Sequence, residues 1–308
     1  MMKGRVVKST GSWYRVLTED YQYLDAKLRG KFKLEDKRAT NPIAVGDKVE
    51  LHLDEKEENS AVIDTILPRE NYIIRKSVKK SAQHHIIAAN IDLAVLIVTM
   101  SKPRTSIGFI DRYLVTAEAF RIPVLLVFNK ADLMSDEEIE IYQVLESIYK
   151  PIGYDTLLIS AFKEENVEEL HQKIIGKTVL IAGHSGVGKS TLLNKISPEI
   201  RQKTAEVSNF VNKGVHTTTF AEMFALDEET FLIDTPGIKE LGLSEIEQDE
   251  LDHYFPEMRA HLGKCRFNNC THVHEPGCKI QELVNEGEIA ISRFESYLSM
   301  LFNEDNRN

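Results

Sequence analysis

The strongest constraint on the fold is a glycine-rich octapeptide in the middle of the chain, Gly183 to Ser190. Its sequence, GHSGVGKS, matches the pattern G-x-x-x-x-G-K-[ST] of phosphate-binding loops. An apolar run, Thr178–Ala182, precedes it, and a segment with helical spacing, Thr191–Ile196, follows it. Such a loop needs a strand before it and a helix after it, because backbone N–H groups and the helix N-terminus must face the phosphate oxygens. The octapeptide therefore predicts a parallel α/β sheet with a phosphate site at one edge.

The residues of the octapeptide have separate predicted roles. The glycines let successive backbone N–H groups turn towards phosphate oxygens. Lys189 is expected to reach the β and γ phosphates, and the Ser190 hydroxyl is expected to bind Mg²⁺. The predicted phosphate-binding residues are Gly183, His184, Ser185, Gly186, Val187, Gly188, Lys189, Ser190 and Thr191.

The sequence on both sides of the octapeptide alternates between apolar runs and helical segments. From about Ile91 onward, each apolar run ends at turn residues. This alternation is typical of a doubly wound parallel sheet with helices on both faces. Besides Thr178–Ala182, the predicted strands are Leu93–Val98, Pro123–Phe128, Thr156–Ile159 and Thr230–Ile233.

A second motif, N-K-x-D ending at Asp132, indicates the base of the nucleotide. The Asp132 carboxylate can accept hydrogen bonds from N1 and the exocyclic N2 of guanine, and adenine lacks donors in that arrangement. Asn129 is expected to brace the loop, and Lys130 to lie along the base. Ser160 and Ala161 follow the next predicted strand and fit a second guanine-contacting loop, where a backbone N–H meets guanine O6. Such tetrapeptides also occur as ordinary turns, but beside a phosphate loop the motif predicts binding of GTP and GDP.

Two further segments predict the magnesium and γ-phosphate contacts. The sequence D-T-P-G, from Asp234 to Gly237, matches the D-x-x-G motif of GTPases. Asp234 is expected to hold the Mg²⁺ shell through water, and the Gly237 N–H to sense the γ phosphate. A threonine should complete the metal shell, and the run from Thr217 to Thr219 offers three. Thr218 is favoured with the register left open, and the run also fits a plain strand entry.

These motifs run along the chain in a rotated order. The guanine motifs come first, then the phosphate loop, the switch threonine and D-x-x-G, whereas ordinary GTPases begin with the phosphate loop. The chemistry tolerates this rotation because all of these loops lie at the carboxyl edge of one sheet. The second switch now leads directly into the C-terminal segment, so we expect γ-phosphate sensing to be transmitted there.

The first 70 or so residues predict a different fold, a small OB-like β-barrel. Short β-branched segments separated by turns occur here without a long helical period. Residues 1–50 hold eleven Lys and Arg against seven Asp and Glu, although the whole chain has a net charge of −10. The stretch 73–85 adds Arg75, Lys76, Lys79 and Lys80 without an acid. A local basic surface suits an RNA-containing partner, and the alternative is an ordinary solvated surface.

The three cysteines, Cys265, Cys270 and Cys278, lie within fourteen residues. An odd number at this spacing is a poor disulfide framework and favours a metal cluster.

The motif order, the N-terminal barrel and the trailing Cys/His segment closely resemble the circularly permuted, small-ribosomal-subunit-dependent GTPase A family. The most specific marks are Ala88–Asp92, His216–Thr219 and the C-terminal cluster. The resemblance implies an OB-fold domain over 1–70, a permuted GTPase domain over 71–240 and a helical zinc-binding domain over 241–308. It also implies late maturation of the small (30S) ribosomal subunit, contact with its rRNA and GTP hydrolysis stimulated by that subunit.

The family's metal pattern is C-x4-C-x-H-x5-C, and here its residues are Cys265, Cys270, His272 and Cys278. Three thiolates and one imidazole make a closed tetrahedral Zn²⁺ site, which is structural because no position remains for water. His274 is the competing ligand, and buried cysteines without metal are the other alternative.

The residue after D-x-x-G is Ile238, where many GTPases have a glutamine that orients the attacking water. An apolar side chain there predicts slow intrinsic hydrolysis that depends on a partner. His216 is a hypothetical water-orienting residue, with a packing role as the alternative.

Two other functions compete with this prediction: a nucleotide-regulated RNA-binding scaffold with little turnover, and a GTPase that assists an RNA-modifying enzyme or a membrane system. The N-terminus lacks an apolar secretory segment, and the longest apolar run, 91–100, is shorter than the ~20 residues of a membrane span. We therefore expect a cytoplasmic protein without a membrane anchor. We also expect it to be a monomer.

Overall fold

The structure is a computed structural model that describes residues 1–11, 13–29, 42–55, 57, 60–76, 84–196, 221–234 and 246–303. Several predicted functional residues lie outside these ranges, namely Lys79, Lys80, His216, Thr217, Thr218, Thr219, Gly237 and Ile238. In the described part of the chain, none of the helices combines the length and the apolar character required to cross a bilayer.

The N-terminal region forms the predicted barrel from five strands. They are β1 (Met2–Ser9), β2 (Tyr14–Thr18), β3 (Tyr23–Leu28), β4 (Lys48–Leu53) and β5 (Ser60–Ile66). The spatial order is 1-2-3-5-4, and β1 also pairs with β4, which closes the barrel. All neighbours are antiparallel except β3 and β5. Alternate residues point inwards and form an apolar interior, for example Val6, Val16, Val49 and Ile63.

A two-stranded ribbon connects the barrel to the rest of the chain. It consists of β6 (Tyr72–Lys76) and β7 (His84–Ala89), which pair antiparallel. Gly46 of the barrel has φ +92°, and a Cβ there would lie 2.1 Å from the Ala89 carbonyl oxygen. The side chain of Asn90 donates to the Gly46 carbonyl oxygen at 3.0 Å. The barrel is therefore in direct contact with the ribbon at a position that only glycine fits.

The central region is the predicted doubly wound sheet. Its strands are β8 (Leu93–Val98), β9 (Val124–Phe128), β10 (Asp155–Leu158), β11 (Thr178–Ala182), β12 (Glu222–Ala225) and β13 (Phe231–Asp234). Their order is 10-9-8-11-13-12, and all pairs are parallel except β12 with β13. The prediction was right residue for residue at Leu93–Val98 and Thr178–Ala182, and within one residue at the other three strands.

Helices cover both faces of this sheet. One face packs against α1 (Ile107–Ala119) and α2 (Asp136–Tyr149), and the other packs against α3 (Val167–Ile174) and α4 (Lys189–Ile196). The N-termini of α1 and α2 are capped by Ser106 and Ser135, whose hydroxyls accept from backbone N–H groups three residues on. The two apolar cores are separate because alternate strand residues point to opposite faces.

The barrel and the central sheet are hydrogen-bonded to each other. Strand β1 pairs antiparallel with β12 at Lys8 and Glu222, and the Lys8 ammonium lies 3.2 Å from the Glu222 carboxylate. Arg5 donates to Thr178 Oγ1 at 2.5 Å, and its guanidinium lies 4.4 Å from the centre of the Phe231 ring. The pairing of β1 with β12 joins the barrel and the central strands into one continuous eleven-stranded sheet.

The C-terminal region consists of short helices around a small core. A 3₁₀ segment, Gln248–Tyr254, is followed by α5 (Pro256–Arg259), α6 (Lys279–Glu286) and α7 (Ile291–Leu301). Its buried apolar residues are Leu251, Phe255, Met258, Ile280, Leu283, Ile289, Tyr297, Met300 and Leu301, and Val115 of α1 packs with them. The domain limits inferred above, at 70/71 and 240/241, stay predictions.

Candidate nucleotide site and metal centre

The predicted nucleotide-binding residues converge at the carboxyl edge of the central sheet. Asn129 follows β9, Ser160 follows β10, and Gly183 follows β11. Asp234 ends β13 and is in register with Ile181 of β11, close to the start of the phosphate loop. Because these strands are parallel, their C-terminal loops meet at one edge, as the motif order requires.

Asn129 connects three of the predicted loops. Its side chain is buried, and its amide donates to the Val187 carbonyl oxygen of the phosphate loop at 2.8 Å. Its amide oxygen accepts from the Ala161 N–H at 3.0 Å. These two hydrogen bonds are the contacts expected of a side chain that braces the loop, as predicted for Asn129. The Ala161 N–H would have to be shared between Asn129 and guanine O6.

Lys130 also links the guanine motif to the phosphate loop. Its backbone is left-handed, with φ +68°. The ammonium donates to the carbonyl oxygens of Gly186, at 2.7 Å, and Lys102, at 2.5 Å. The fixed ammonium holds the methylene stem of this side chain in one place, as expected of a wall of the base pocket.

Asp132 and Ser160 are hydrogen-bonded to each other. The Ser160 hydroxyl donates to one carboxylate oxygen of Asp132 at 2.5 Å. The same hydroxyl oxygen accepts from the Lys163 N–H at 3.1 Å. The carboxylate has two oxygens with room for further donors, so this bond orients Asp132 and leaves acceptor capacity for guanine.

The phosphate loop packs tightly against its neighbours. Gly183 and Gly188 have positive φ, and a Cβ on them would lie 2.3 Å from the Ile97 carbonyl oxygen and 2.4 Å from the Asn129 amide nitrogen. Lys189 donates to the carbonyl oxygens of Gly183 and His184, each at 2.7 Å. The ammonium therefore lies along the loop that is predicted to hold phosphate, and the exposed Ser190 is in the first turn of α4.

One aromatic contact at this loop was missed by the sequence reasoning. The rings of His184 and Phe109 lie with centroids 3.9 Å apart at an interplanar angle of 35°. Phe109 is in the first turn of α1. A partner 75 residues away leaves no local pattern, so only the tertiary structure reveals this contact.

The four predicted metal ligands form one cluster. Cys265, Cys270, His272 and Cys278 offer ligand atoms that all lie within 4.8 Å of one another. His272 Nδ1 is 3.6 Å from the Cys265 sulfur and 3.3 Å from the Cys278 sulfur. His274, the competing ligand, is exposed and lies outside this cluster. The structure therefore brings together the four residues that the family resemblance implied.

The imidazole of His272 is oriented by a carboxylate. Its Nε2 lies 3.1 Å from Asp252 in the 3₁₀ segment, which leaves Nδ1 directed at the sulfurs. Metal-bound histidines commonly donate their other ring nitrogen to such a carboxylate. Burial raises the pKa of the Cys270 thiol to about 12 and also raises the pKa of Cys278. A bound cation would counter this burial by favouring the thiolate forms.

This donor set fits zinc. Three sulfurs and one nitrogen are the ligands of closed tetrahedral Zn²⁺ sites, and an imidazole held by Asp252 matches the usual outer shell. The cluster is compatible with one structural zinc ion. Bound zinc would join the turns at 265–272 to the N-terminus of α6, where Cys278 is the N-cap.

The C-terminal region is attached to the central domain through a buried ion pair. Arg293 of α7 is 1% exposed and donates to the carboxylates of Asp111, at 2.6 Å, and Glu257, at 2.7 Å. The Tyr149 hydroxyl also donates to Asp111, at 2.7 Å. Burial alone would lower the pKa of Arg293, but the two carboxylates raise it above its usual value. The guanidinium is therefore charged and fixes α7 to α1.

Comparison with known proteins identifies the family. A family model described as RsgA GTPase matches residues 66–244, which is more than half of the chain. The chain belongs to the RsgA GTPase family. A second model, RsgA N-terminal domain, matches residues 3–63. The predicted family is thus confirmed, and with it the GTPase activity and the Mg²⁺ that accompanies GTP in this family.

Relatives of known sequence span the chain almost completely. A protein named small ribosomal subunit biogenesis GTPase RsgA, from Cytophaga hutchinsonii, is 53% identical over 304 residues, or 99% of each chain. A Bacteroides thetaiotaomicron protein named small ribosomal subunit biogenesis GTPase RsgA 2 is 49% identical over 300 residues, 97% of this chain and 96% of its own.

Two solved structures have the same fold. YjeQ from Thermotoga maritima is 36% identical, with a TM-score of 0.80 over 100% of this chain and 99% of its own. YloQ, described as a circularly permuted GTPase, is 28% identical, with a TM-score of 0.76 over 100% of this chain and 96% of its own. The predicted architecture of barrel, permuted GTPase sheet and Cys/His region is confirmed.

Proposed function

We propose that this RsgA-family chain is a GTPase that binds the small ribosomal subunit, contacts its rRNA and assists its late maturation. The observation that carries the proposal is the single hydrogen-bonded cluster formed by the N-K-x-D loop, the Ser-Ala loop and the phosphate loop. The names of the full-length relatives supply the partner. Small subunits mature in the bacterial cytoplasm, which is therefore the proposed location, and we propose that the chain acts as a monomer.

The nucleotide roles follow from the positions of the residues. Asp132 would read the guanine edge, Lys189 would contact the β and γ phosphates, and Ser190 would bind Mg²⁺. Asp234 ends a strand beside the phosphate loop, a position from which its carboxylate can reach the metal's water shell. Thr218, Gly237 and His216 lie outside the described residues, so their roles stay predictions.

The outer face of β2 and β3 supports an RNA partner. Trp13 and Tyr23 are 41% and 49% exposed, and the Lys27 ammonium lies 4.2 Å from the centre of the Trp13 ring. Arg15 lies beside them, paired with Asp25 at 3.0 Å. The equivalent face of OB-folds binds oligonucleotides, with bases stacked on aromatic rings and phosphates near cations. This surface is therefore the proposed rRNA contact of the barrel.

The partner is tested by co-sedimentation with separated small and large ribosomal subunits. We expect the chain to sediment with the small subunit when GTP or a non-hydrolysable analogue is present. Trp13→Ala should weaken this association without altering GDP affinity. Equal binding to both subunits, or to neither, contradicts the proposed partner.

Catalysis is tested by measuring GTP turnover with and without small subunits. We expect stimulation by the subunit, and we expect Lys189→Ala to reduce stimulated turnover by about 100- to 1,000-fold, because it removes a cation from developing phosphate charge. His216→Ala tests the water-orienting hypothesis, and full stimulated turnover would contradict it. A chain that binds subunits but shows no stimulated turnover would instead be the RNA-binding scaffold, which the family does not favour.

A further inference from the structure

Helix α2 (Asp136–Tyr149) has an outer side that is both strongly acidic and partly apolar. The helix contains five carboxylates and no lysine or arginine, so its formal charge is −5 within a chain of net charge −10. Ile141 and Val144 on its outer side are 46% and 57% exposed. With the half-buried Ile148 they are spaced i, i+3 and i+7, so they form a stripe along one side of the helix. The outer face of α2 is defined here as Glu137, Glu140, Ile141, Val144 and Ile148.

The two carboxylates of the outer face have no cation beside them. Glu138 and Glu146 are used locally, because Glu138 completes the capping box and Glu146 pairs with Lys150 at 2.8 Å. In the part of the chain that the structure describes, neither Glu137 nor Glu140 forms an ion pair or a side-chain hydrogen bond. Each of them is four residues before an apolar residue of the stripe, and therefore lies one helical turn from it. Uncompensated negative charge thus lies directly beside exposed apolar surface.

The opposite side of α2 fixes the helix in place. Tyr142, Leu145 and Tyr149 are buried against the central sheet. The Tyr142 hydroxyl donates to Glu146 at 2.8 Å, and the Tyr149 hydroxyl donates to Asp111 of α1 at 2.7 Å. The outer face is therefore rigid before any partner binds, and a rigid surface loses little conformational entropy on binding.

The charge of the outer face distinguishes between the two kinds of surface on a small ribosomal subunit, the partner in the proposed function, on which this inference rests. RNA phosphates are repelled by a helix of charge −5. Proteins that bind RNA carry clustered lysines and arginines, because these side chains neutralise phosphates. Such a protein offers cations to Glu137 and Glu140, and charge complementarity of this kind selects one partner over another.

We propose that the outer face of α2 is a docking site for a basic protein of the small ribosomal subunit. Apolar side chains of that protein pack on Ile141 and Val144. Its lysines or arginines lie near Glu137 and Glu140. The i, i+3, i+7 spacing is that of helices that bind in an apolar groove of a partner. The barrel and α2 thus contact different components of the subunit, the barrel its rRNA and α2 one of its proteins.

The apolar part of the contact is tested by binding of the full chain to purified small subunits with a non-hydrolysable GTP analogue. Ile141→Ser combined with Val144→Ser should weaken binding about 10- to 100-fold, because the partner's apolar side chains lose their cover. The control is Ile175→Ser, which changes an isoleucine of similar exposure, 45%, outside α2 and should bind within about twofold of the unmodified chain. Unchanged binding of the double variant refutes the docking site. A matching loss of GDP affinity also refutes it, because the two side chains would then support the guanine loop.

The acidic part of the contact gives opposite results for a protein and for RNA. Glu137→Gln combined with Glu140→Gln should weaken binding about 3- to 10-fold, and less at high salt, if the partner is basic. The same change would tighten binding if the face lay against phosphates. Glu169→Gln, in α3 and also exposed, is the control and should have no effect. Tighter or unchanged binding of the double variant contradicts a basic protein partner.

The partner itself is identified by photo-crosslinking. Val144→p-benzoylphenylalanine, bound to small subunits and irradiated, should yield a product with a lysine- and arginine-rich subunit protein, and ribonuclease should not change its mobility. The same replacement at Ile175 should not give this product. A product with rRNA, a product with a second copy of the chain, or no product from a chain that still sediments with the small subunit would refute docking through α2 and leave the proposed function intact. Failure to sediment with the small subunit would refute both.

Discussion

The nucleotide site and the Cys/His cluster both bind charged ligands, but they are positioned by different means. At the nucleotide site each functional residue follows a strand of the central sheet, and side chains such as Asn129 connect neighbouring loops by hydrogen bonds. At the cluster the ligands are in turns between short helices, around a core of about a dozen apolar side chains. The sheet therefore positions the nucleotide site, whereas we expect a bound ion to stabilise the C-terminal region.

Removing zinc should have the largest effect and should separate the two regions. Zinc binding in small domains supplies about 10 to 16 kcal/mol of folding free energy, more than a core of this size provides alone. Chelation, or Cys278→Ser, is expected to unfold residues 246–303 while GDP affinity stays within about threefold. Hydrogen exchange measures the unfolding of residues 246–303, and titration calorimetry measures the affinity for GDP.

The matched control for zinc loss is His274→Ala. His274 is exposed and outside the cluster, so this variant should retain one zinc per chain. A large loss of GDP affinity on chelation would show that the nucleotide site needs the metal-binding region, and would contradict its positioning by the sheet alone. Loss of zinc in His274→Ala would contradict the assignment of His272 as the ligand.

A smaller effect is expected at the contact between the regions. Arg293→Ala leaves Asp111 and Glu257 buried without their cation, and breaking a buried pair in this way costs about 3 to 5 kcal/mol. We expect denaturant unfolding to show a destabilised C-terminal region with its zinc content intact.

The control at the same contact is Arg259→Ala. Arg259 forms a 2.8 Å ion pair with Glu118 but is 49% exposed, so about 0 to 1 kcal/mol is expected. Equal destabilisation by the two variants would show that the burial of Arg293 does not determine how much its ion pairs contribute to the free energy of unfolding.

The smallest predicted effect concerns the orientation of a single ligand. Asp252→Asn keeps the shape of the side chain beside His272 but removes its charge, so zinc affinity should fall by about 10- to 100-fold. Asp249→Asn, in the same 3₁₀ segment and exposed, is the control. Competition with a chelator of known affinity measures both. Unchanged affinity in Asp252→Asn would mean that the 3.1 Å contact with His272 does not tune the metal.

The sequence was informative where the signal is local. Runs such as Leu93–Val98 are apolar on both faces and end at turns, so both the strand and the sheet type could be predicted. The three cysteines lie within fourteen residues, so their spacing indicated a metal cluster, and the family resemblance implied His272 as the fourth ligand.

Contacts between distant segments could not be predicted. Asp111 and Arg293 are 182 residues apart, and Asp252 precedes His272 by 20 with no motif between them. An arginine in an amphipathic helix is usually solvated, and nothing in the sequence around Arg293 marks it as buried.

The pairing of β1 with β12 has a mechanical consequence. Along the chain, strand β12 lies between the segment that contains Thr218 and the strand that ends at Asp234, and both residues are predicted to contribute to the Mg²⁺ shell. The barrel is joined to this same strand at Lys8 and Glu222. A force on Thr218 or Asp234 is therefore transmitted along the chain to β12, the strand that pairs with the barrel. The barrel and the two switch segments are thus connected through β12. A force from a surface bound to the barrel can therefore also reach the switch segments through this strand.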